Sequence, residues 1–195
     1  MNYPRILPEK STGESSKRRG KSMELIPLDD DELVTLAAGW LGDKQNHQWL
    51  DFGSGVQCIN AVSLKIMVQK PIHRVRLFTS DDADGKPIGI VALSNIDTVF
   101  KTATMWAVLG ARSQASKGHA THAVSMMLAE GFHKLGLQAI NVWAVECNAA
   151  SLGIVRKLRF TPIGRQRRCH YIDGRAFDRL WFDMLAEEYA EENHV

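Results

Sequence analysis

Long hydrophobic runs are missing from this 195-residue chain, and cysteine is scarce. No apolar stretch approaches the roughly 18 residues of a membrane-spanning helix, and the first residues contain no hydrophobic segment typical of a secretory signal. The three cysteines form no CxxC pair and are odd in number, which argues against a disulfide framework and a structural zinc site. We therefore expect a soluble protein of a reducing compartment, the cytoplasm, that contacts no membrane and holds no metal.

A strong charge of one sign is also absent, except at the N-terminus. Lys and Arg number 24 against 22 Asp and Glu, so the formal net charge is +2. Residues 1–22 carry six basic and two acidic side chains, a net +4, which leaves −2 for the rest of the chain. A nucleic-acid-binding domain concentrates basic residues on its folded body, so this distribution argues against a nucleic-acid partner.

The segment 1–22 is poor in apolar side chains and rich in Ser, Gly, Lys and Arg, which predicts a disordered basic leader. A weak tether for RNA or acidic lipid is the less favoured alternative. Met23 opens the first strand-like segment and is an alternative start, so truncation to Met23 should preserve folding and activity. The remaining length suits a single core, and we expect one domain over 23–187 followed by a frayed acidic C-terminus over 188–195.

Hydrophobic periodicity predicts a mixed chain of helices and strands. Strand patterns occupy 24–28, 75–79, 88–96, 102–109, 139–145, 160–172 and 175–185, and the last two form a hairpin that turns at Asp173-Gly174. Helical spacing occupies 32–41, 44–52, 60–69, 118–135 and 148–158. This order predicts a single α/β domain of mixed α+β type, in which an antiparallel meander precedes a βαβα unit.

The segment 115–121, Ala-Ser-Lys-Gly-His-Ala-Thr, lies between a predicted strand and a long amphipathic helix. The unpaired backbone N–H groups and the positive dipole end of such a helix start form an anion site. Gly118 and Ala120 let a phosphate approach the backbone, and Lys117 adds a positive charge. The chain contains neither GxGxxG nor GxxxxGK[ST], so a plain small-residue turn is an equal alternative for this loop taken alone.

Three ordered stretches give the chain a family resemblance. Residues 116–123, Ser-Lys-Gly-His-Ala-Thr-His-Ala, resemble the pyrophosphate loop and helix start of the GNAT superfamily of acyl-CoA-dependent N-acyltransferases, in its RimJ/RimL-like branch. Residues 148–160 resemble the Asn-x-x-Ser helix of that branch and its Lys-Leu-Gly-Phe ending, and residues 164–178 resemble its C-terminal hairpin. The match covers about residues 88–185 of the chain.

The resemblance implies the GNAT fold, a central mixed and largely antiparallel sheet that is flanked by helices and splayed at two parallel strands, here 102–109 and 139–145. It implies acetyl-CoA as the co-substrate and transfer of the acetyl group to a primary amine, by direct attack in a ternary complex. By the same resemblance, the cofactor is bound by backbone groups near Val108 and Gly110, by the loop and by the next helix, at Ala115, Ser116, Lys117, Gly118, His119, Ala120, Thr121, Asn148, Ser151 and Lys157.

The sequence departs from the family pattern at three positions. Ala115 stands where the family loop has Gln or Arg, with Gln114 one residue early, and Ser116 replaces the first Gly. Arg159 replaces the Gly that precedes Phe160. Backbone N–H groups can still bind a pyrophosphate, but the missing loop side chain favours one alternative, a non-catalytic acyl-CoA-binding regulatory module.

The candidate catalytic residues are Ser151, Glu146 and Asp97. Asn148 is predicted to cap a helix in which Ser151 is the third residue. In the family reading, Asn148 also binds the pantetheine arm and Ser151 gives a proton to the departing sulfur. Glu146, just before Asn148, and Asp97, at a strand end, are the candidates for the general base, although strand-end carboxylates are often simply solvated.

The acceptor implied by the family is a peptide or protein N-terminus, or a small-molecule amine such as an amino sugar attached to a nucleotide. Trp40, Trp49 and Phe52 are candidates to line its pocket, with burial as the simpler explanation. Core packing is a sufficient explanation for Trp106 and Trp143. A homodimer is left open by the sequence.

Overall fold

The computed structural model describes residues 23–192, so the predicted leader 1–22 and residues 193–195 lie outside the described part of the chain. The strands are β1 (Leu25–Pro27), β2 (Arg74–Thr79), β3 (Pro87–Asp97), β4 (Thr102–Leu109), β5 (Ala139–Val145), β6 (Thr161–Ile172) and β7 (Arg175–Leu185). The helices are α1 (Asp31–Gly42), α2 (Lys44–His47), α3 (Ala61–Gln69), α4 (His119–Ala129), α5 (Ala149–Lys157) and α6 (Ala186–Glu192).

All seven strands form one sheet in the order β1-β2-β3-β4-β5-β7-β6. Every neighbouring pair is antiparallel except β4 and β5, which are parallel and joined by α4. The parallel pairing covers only Thr102–Thr104 of β4 with Ala139–Asn141 of β5. Beyond these residues the two strands separate, which confirms the predicted mixed sheet with a splay at this pair.

The sheet carries a hydrophobic layer on each face. On one face, α4 buries Ala123, Val124, Met127 and Leu128 against β3, β4 and β5. On the other face, α1 and α3 bury Val34, Ala37, Leu41 and Leu64 against β2 and β3. Each fully buried Leu or Ile stabilises the fold by about 1.5–3 kcal/mol, so both layers contribute to the stability of the sheet.

Polar side chains fix where the helices begin. The Asp30 carboxylate accepts hydrogen bonds from the backbone N–H groups of Glu32 and Leu33, at 2.8 and 3.2 Å. The Asn60 amide oxygen accepts one from the Ser63 N–H at 2.9 Å, at the start of α3. Such caps stabilise a helix by about 1 kcal/mol each. The beginnings of α1, α3 and α5 therefore lie close to where the sequence predicts them.

The structure differs from the sequence expectation in three elements. The helix expected over 44–52 is helical only over Lys44–His47, because the Asp51 carboxylate accepts hydrogen bonds from the N–H groups of Gly53 and Gly55 and makes a turn. The helix expected over 118–135 changes at Glu130 into a π-helical turn. Residues 188–192, expected to fray, belong to α6, whose Tyr189 ring packs 5.1 Å from Phe132.

No helix within residues 23–192 is long and apolar enough to cross a membrane.

Candidate functional site

A cleft of about 1090 Å³ occupies the gap where β4 and β5 separate. One end is formed by the loop before α4 and by the first turns of α5. The other end is formed by the segment from α2 to α3 and by side chains from β3, β4, β5 and β7. The cleft therefore joins the two faces of the sheet through the splay, and we call these the loop end and the aromatic end.

The loop at the first end contains two residues with left-handed backbone. Ser116 has a φ of 62° and Gly118 has a φ of 84°, and Gly118 is the N-cap residue of α4. No side chain in the described part of the chain caps α4, so the N–H groups of Ala120 and Thr121 in its first turn stay available to a ligand. The loop residues that line the cleft are Ala115, Ser116, Gly118, His119, Ala120 and Thr121. This geometry is typical of an anion site at a helix N-terminus.

Lys117 is the one loop residue of the predicted set that does not line the cleft. Its Nζ donates a hydrogen bond of 2.9 Å to Oε1 of Gln114, whose side chain is buried beneath the loop. Gln114 itself contributes to the cleft lining. The amide at the position before Ala115 therefore supports the loop from within the same turn. The Lys117 side chain is exposed, and its contact with a cofactor stays a prediction.

The backbone groups of β4 that face the gap differ from the expected ones by one residue. The Gly110 N–H donates to the Ile88 carbonyl at 2.9 Å, and Val108 lies opposite Ile90 in the antiparallel register. Because hydrogen-bonding directions alternate along a strand, Val108 and Gly110 face β3, whereas Ala107 and Leu109 face the gap. Val108 is among the residues that line the cleft, but Gly110 is not. Ala107 and Leu109 therefore offer the unpaired backbone groups.

The first turns of α5 form the opposite wall. The Asn148 side-chain oxygen accepts a hydrogen bond of 3.1 Å from the Ser151 N–H, which confirms Asn148 as the N-cap. Asn148 and Ser151 line the cleft at the start of the helix, and Lys157 lines it from the last turn. Within residues 23–192 no group is bonded to the Ser151 hydroxyl, which leaves that donor available to a bound molecule.

The two candidate bases lie outside the cleft lining. Glu146 is exposed, and its Oε1 accepts a hydrogen bond of 3.0 Å from the Asp178 N–H. Asp97 lies opposite Thr102, at the end of β4 away from the loop, where its carboxylate accepts bonds of 2.8 Å from two backbone N–H groups. Both carboxylates have structural hydrogen bonds in these positions, and a catalytic role for either stays a prediction.

The aromatic end is richer in tryptophan than the sequence suggested. Trp49 and Phe52 line it as expected, but Trp40 packs instead against Gly110. Trp106 and Trp143, expected to be core residues, are half-buried and line the cleft. Sequence reasoning missed Trp181 altogether. The period-2 alternation of the predicted hairpin, which places Arg179, Trp181 and Asp183 on one face, was a signal that could have found it.

A buried polar network holds the wall of the aromatic end. Asp51 forms an ion pair with Arg179 at 2.7 Å, and both side chains are less than one fifth exposed. The Arg179 guanidinium lies 4.1 Å above the Trp143 ring and donates to Nδ1 of His170. His170 Nε2–H donates to the Gln48 carbonyl at 2.7 Å. The network joins the segment after α2 to β5, β6 and β7, and sequence reasoning did not find it.

Three titratable groups at this end have shifted pKa values. Burial, together with the nearby Arg179 charge, lowers the pKa of His170 below its ordinary value of 6.5. Burial and the charge of Lys70 lower the pKa of His73 in the same way. Burial disfavours ionisation of Asp51, but hydrogen bonds from Arg179 and the Gly53 N–H outweigh it and hold the pKa of the carboxyl below 3.8. Both imidazoles are therefore neutral and Asp51 is ionised at neutral pH.

No cluster of three or more metal-ligating side chains exists within residues 23–192. The site therefore consists of backbone donors at the loop end, a serine and an asparagine at the start of α5, and aromatic walls at the other end.

Comparison with known proteins matches the chain to one family. The family model described as the acetyltransferase (GNAT) domain matches residues 23–161. The putative ribosomal N-acetyltransferase YdaF of Bacillus subtilis (strain 168) is 26% identical over 109 residues, which are 56% of this chain and 59% of that protein. The chain thus spans less than two thirds of this curated relative.

Solved structures of low sequence identity share the fold. The spermidine N-acetyltransferase from Vibrio cholerae in complex with CoA and spermine has a TM-score of 0.72 at 16% identity, covering 87% of this chain and 98% of that one. Mycobacterium smegmatis RimJ in complex with CoA-disulfide has a TM-score of 0.70 at 18% identity, covering 85% of this chain and 83% of that one.

Proposed function

The chain belongs to the acetyltransferase (GNAT) domain family, and from this premise we propose that it is an acetyl-CoA-dependent N-acetyltransferase that acts on a primary amine. The observation that carries the proposal is the open gap beyond Thr104 and Asn141, which connects a loop of backbone donors to a separate acceptor end. A ternary complex needs such a passage, because the amine must reach the thioester while the cofactor is bound.

The residues at the loop end suit acetyl-CoA. The N–H groups at the start of α4 would bind the pyrophosphate, and Ala107 and Leu109 would pair with the amides of the pantetheine arm. This placement would bring the thioester near the point where β4 and β5 part, between Trp106 and the start of α5. Asn148 would contact the pantetheine while it still caps α5, and the exposed Lys157 would lie beside the phosphates of the cofactor.

The proposed reaction is a direct attack. The neutral amine nitrogen forms a bond to the carbonyl carbon of the thioester, and the carbon–sulfur bond breaks to release CoA as a thiolate. The Ser151 hydroxyl, which lines the cleft, gives a proton to the departing sulfur. The new amide nitrogen loses one proton to solvent, and solvent returns one proton to the Ser151 oxygen. The acetyl group moves in one step, so no covalent enzyme intermediate is required.

The pKa of the acceptor decides how strong a base is needed. Deprotonation at pH 7 costs about 1 kcal/mol for an α-amine and about 4.6 kcal/mol for a lysine side chain. Water is a sufficient base for the first and a poor one for the second. Glu146 and Asp97 stay predictions for this role: a weakly basic α-amine would react without them, whereas a more basic alkylamine would depend on one of them through bound water. The acceptor is accordingly a peptide N-terminus or a small amine, and we propose a cytoplasmic location without a nucleic-acid partner.

Two measurements test the proposal. Calorimetric titration should give micromolar binding of acetyl-CoA and none of ATP or NAD. Thiol release should then require an amine, and Ser151→Ala should lower kcat by at least about tenfold with little change in the KM for acetyl-CoA. Ser113→Ala, an exposed serine outside the cleft, is the matched control and should leave both constants unchanged.

The outcomes separate the two functional classes. Binding of acetyl-CoA without thiol release for any amine would contradict catalysis and support a non-catalytic acyl-CoA-binding module. Absence of acetyl-CoA binding at millimolar concentration would contradict the assignment of the loop end.

A further inference from the structure

The aromatic end of the cleft has three tryptophans on neighbouring strands. Trp106 belongs to the face of β4 that packs against α1 and α3. Trp143 alternates with Ile140 and Val142, which face α4, so its side chain lies on the same face as Trp106. Trp181 is aligned directly opposite Trp143 in the antiparallel register. The three indoles therefore lie on one face of the sheet, with Trp106 on one side of the gap and with Trp143 and Trp181 on the other.

The facing wall is also aromatic and apolar. Trp49 and Phe52 come from the segment after α2, and the Phe52 ring stands edge-on to Trp106 with centroids 5.5 Å apart. A hydrogen bond of 2.9 Å from Trp106 Nε1 to the Ser94 hydroxyl fixes that indole. The mouth adds exposed apolar side chains at Val56 and Ile66. Four of the five tryptophans of the chain thus line a single cavity.

The same end offers no unpaired negative charge to an acceptor. Asp51 is the one carboxylate among the cleft-lining residues of the described chain, and it is paired with Arg179 at 2.7 Å. The Arg179 guanidinium already occupies one face of Trp143, at 4.1 Å from the ring centroid. Lys70 adds a positive charge, and His73 is neutral at neutral pH because burial lowers its pKa. A second ammonium group would lose its hydration here without gaining a counter-ion.

On the basis of the proposed function, we propose that the acceptor is an aromatic monoamine, in which one primary amino group is linked to a ring that packs in the gap against the indoles and Phe52. A ring gains burial and edge or stacking contacts from these walls. A single ammonium group can lose its proton to solvent, and the amine then enters the cavity as the neutral nucleophile. A polyamine carries further charges that the cavity does not neutralise, and a sugar carries hydroxyl groups that the apolar walls leave unbonded.

Matched amines test the proposal through thiol release from acetyl-CoA. The panel is 2-phenylethylamine, 2-cyclohexylethylamine, spermidine and glucosamine, since the first two differ in aromaticity but hardly in shape or charge. We expect kcat/KM for 2-phenylethylamine to exceed that for 2-cyclohexylethylamine by about three- to tenfold, and that for spermidine or glucosamine by at least about tenfold. Trp181→Leu should reduce the ratio of kcat/KM for 2-phenylethylamine to that for 2-cyclohexylethylamine by about threefold or more. Phe100 is an exposed aromatic residue at the β3–β4 turn, and Phe100→Leu should leave this ratio unchanged.

A binding measurement keeps this test separate from catalysis. Saturation-transfer NMR on the full chain with CoA bound should label the ring protons of 2-phenylethylamine, and Trp181→Leu should weaken that signal. Equal or greater kcat/KM for spermidine, glucosamine or the cyclohexyl amine would overturn the aromatic acceptor while the N-acetyltransferase assignment stands. Saturation transfer to the ring protons without thiol release from any amine would instead contradict the N-acetyltransferase assignment and support a cavity that binds aromatic rings.

Discussion

Gly110 is a residue at which a single added methyl group would meet the side chain of Trp40. A Cβ at this position would lie 2.0 Å from Trp40 Cδ2 and 2.3 Å from Cε2, which are atoms of the fused part of the ring. The indole must therefore shift, and with it the contact between α1 and the end of β4. We expect Gly110→Ala to lower the free energy of unfolding by about 1–3 kcal/mol, as measured by urea denaturation.

Gly39 is the matched control for this substitution. It lies inside α1, next to Trp40, and a Cβ there would meet no heavy atom within 4 Å. Because alanine is the better helix former, Gly39→Ala should raise the free energy of unfolding by about 0.5–1 kcal/mol. If both variants unfold at the urea concentration of the parent chain, packing against Trp40 does not restrict which side chain residue 110 can carry.

Single residues also show which features of the loop end could not be predicted from the sequence. Segment 115–121 was correctly placed before a helix, because small residues followed by helical spacing are a local signal. The bond from Lys117 to Gln114 spans Ser116, whose left-handed backbone no local pattern requires of a serine. Similarly, Val108 and Ala107 are one residue apart in sequence, and only the register with β3 decides which of them faces the gap.

At the scale of elements, strands were easier to predict than helix ends. The bounds 102–109 and 139–145 were predicted without error, because apolar and β-branched residues fill both strands and turns flank them. The prediction of a longer second helix was wrong, because the turn after α2 is made by Asp51, and that carboxylate is also held by Arg179, 128 positions away. Helix α6 likewise gains a tertiary contact through Tyr189 and Phe132 that its acidic sequence does not reveal.

The start of α5 is predicted to serve two purposes, and a pair of variants separates them. Asn148 caps α5 and lines the cleft, whereas Asn60 caps α3 through the same type of bond and does not line it. We expect Asn148→Ala and Asn60→Ala each to lower the free energy of unfolding by about 1 kcal/mol. Asn148→Ala alone should also weaken acetyl-CoA binding, by about three- to tenfold in calorimetric titration, through loss of one hydrogen bond.

Two results would contradict a binding role that is specific to Asn148. Equal acetyl-CoA affinity in the two variants, at equal loss of stability, would leave Asn148 with a capping function only. A loss of affinity in both variants would indicate a general effect of stability on the cleft.

At the scale of the whole molecule, the mixed sheet and its splay at one parallel pair followed from the sequence through the family resemblance, but the aromatic end did not. Its walls come from four separated parts of the chain, and its polar network links Gln48, Asp51, His170 and Arg179. Each of these residues looks unremarkable in its own segment. They come into contact only when β5, β7 and β6 lie side by side, so the acceptor side of the site could not be predicted without the tertiary structure.

That network predicts how the stability of the whole molecule depends on pH. Burial and Arg179 lower the pKa of His170 in the folded state, whereas unfolding restores the ordinary value of 6.5. Below about pH 6.5 the unfolded chain therefore binds a proton that the folded chain resists, and stability falls as the pH falls. The loss approaches about 1.4 kcal/mol per pH unit between the two pKa values of this group. Asp51 does not contribute in this range, because its carboxyl titrates below 3.8.

Urea denaturation of the chain and of His170→Gln at about pH 5.5, 6.5 and 7.5 measures this contribution. Glutamine can still accept a hydrogen bond from Arg179 but cannot take up a proton, so we expect lower stability at pH 7.5 and a shallower loss toward pH 5.5. His122→Gln, at an exposed position on α4, should keep the slope of the parent chain. His73, whose pKa burial also lowers, accounts for the slope that persists in His170→Gln. If His170→Gln and His122→Gln lose stability in parallel with the parent, His170 is not the group that makes the fold sensitive to acid.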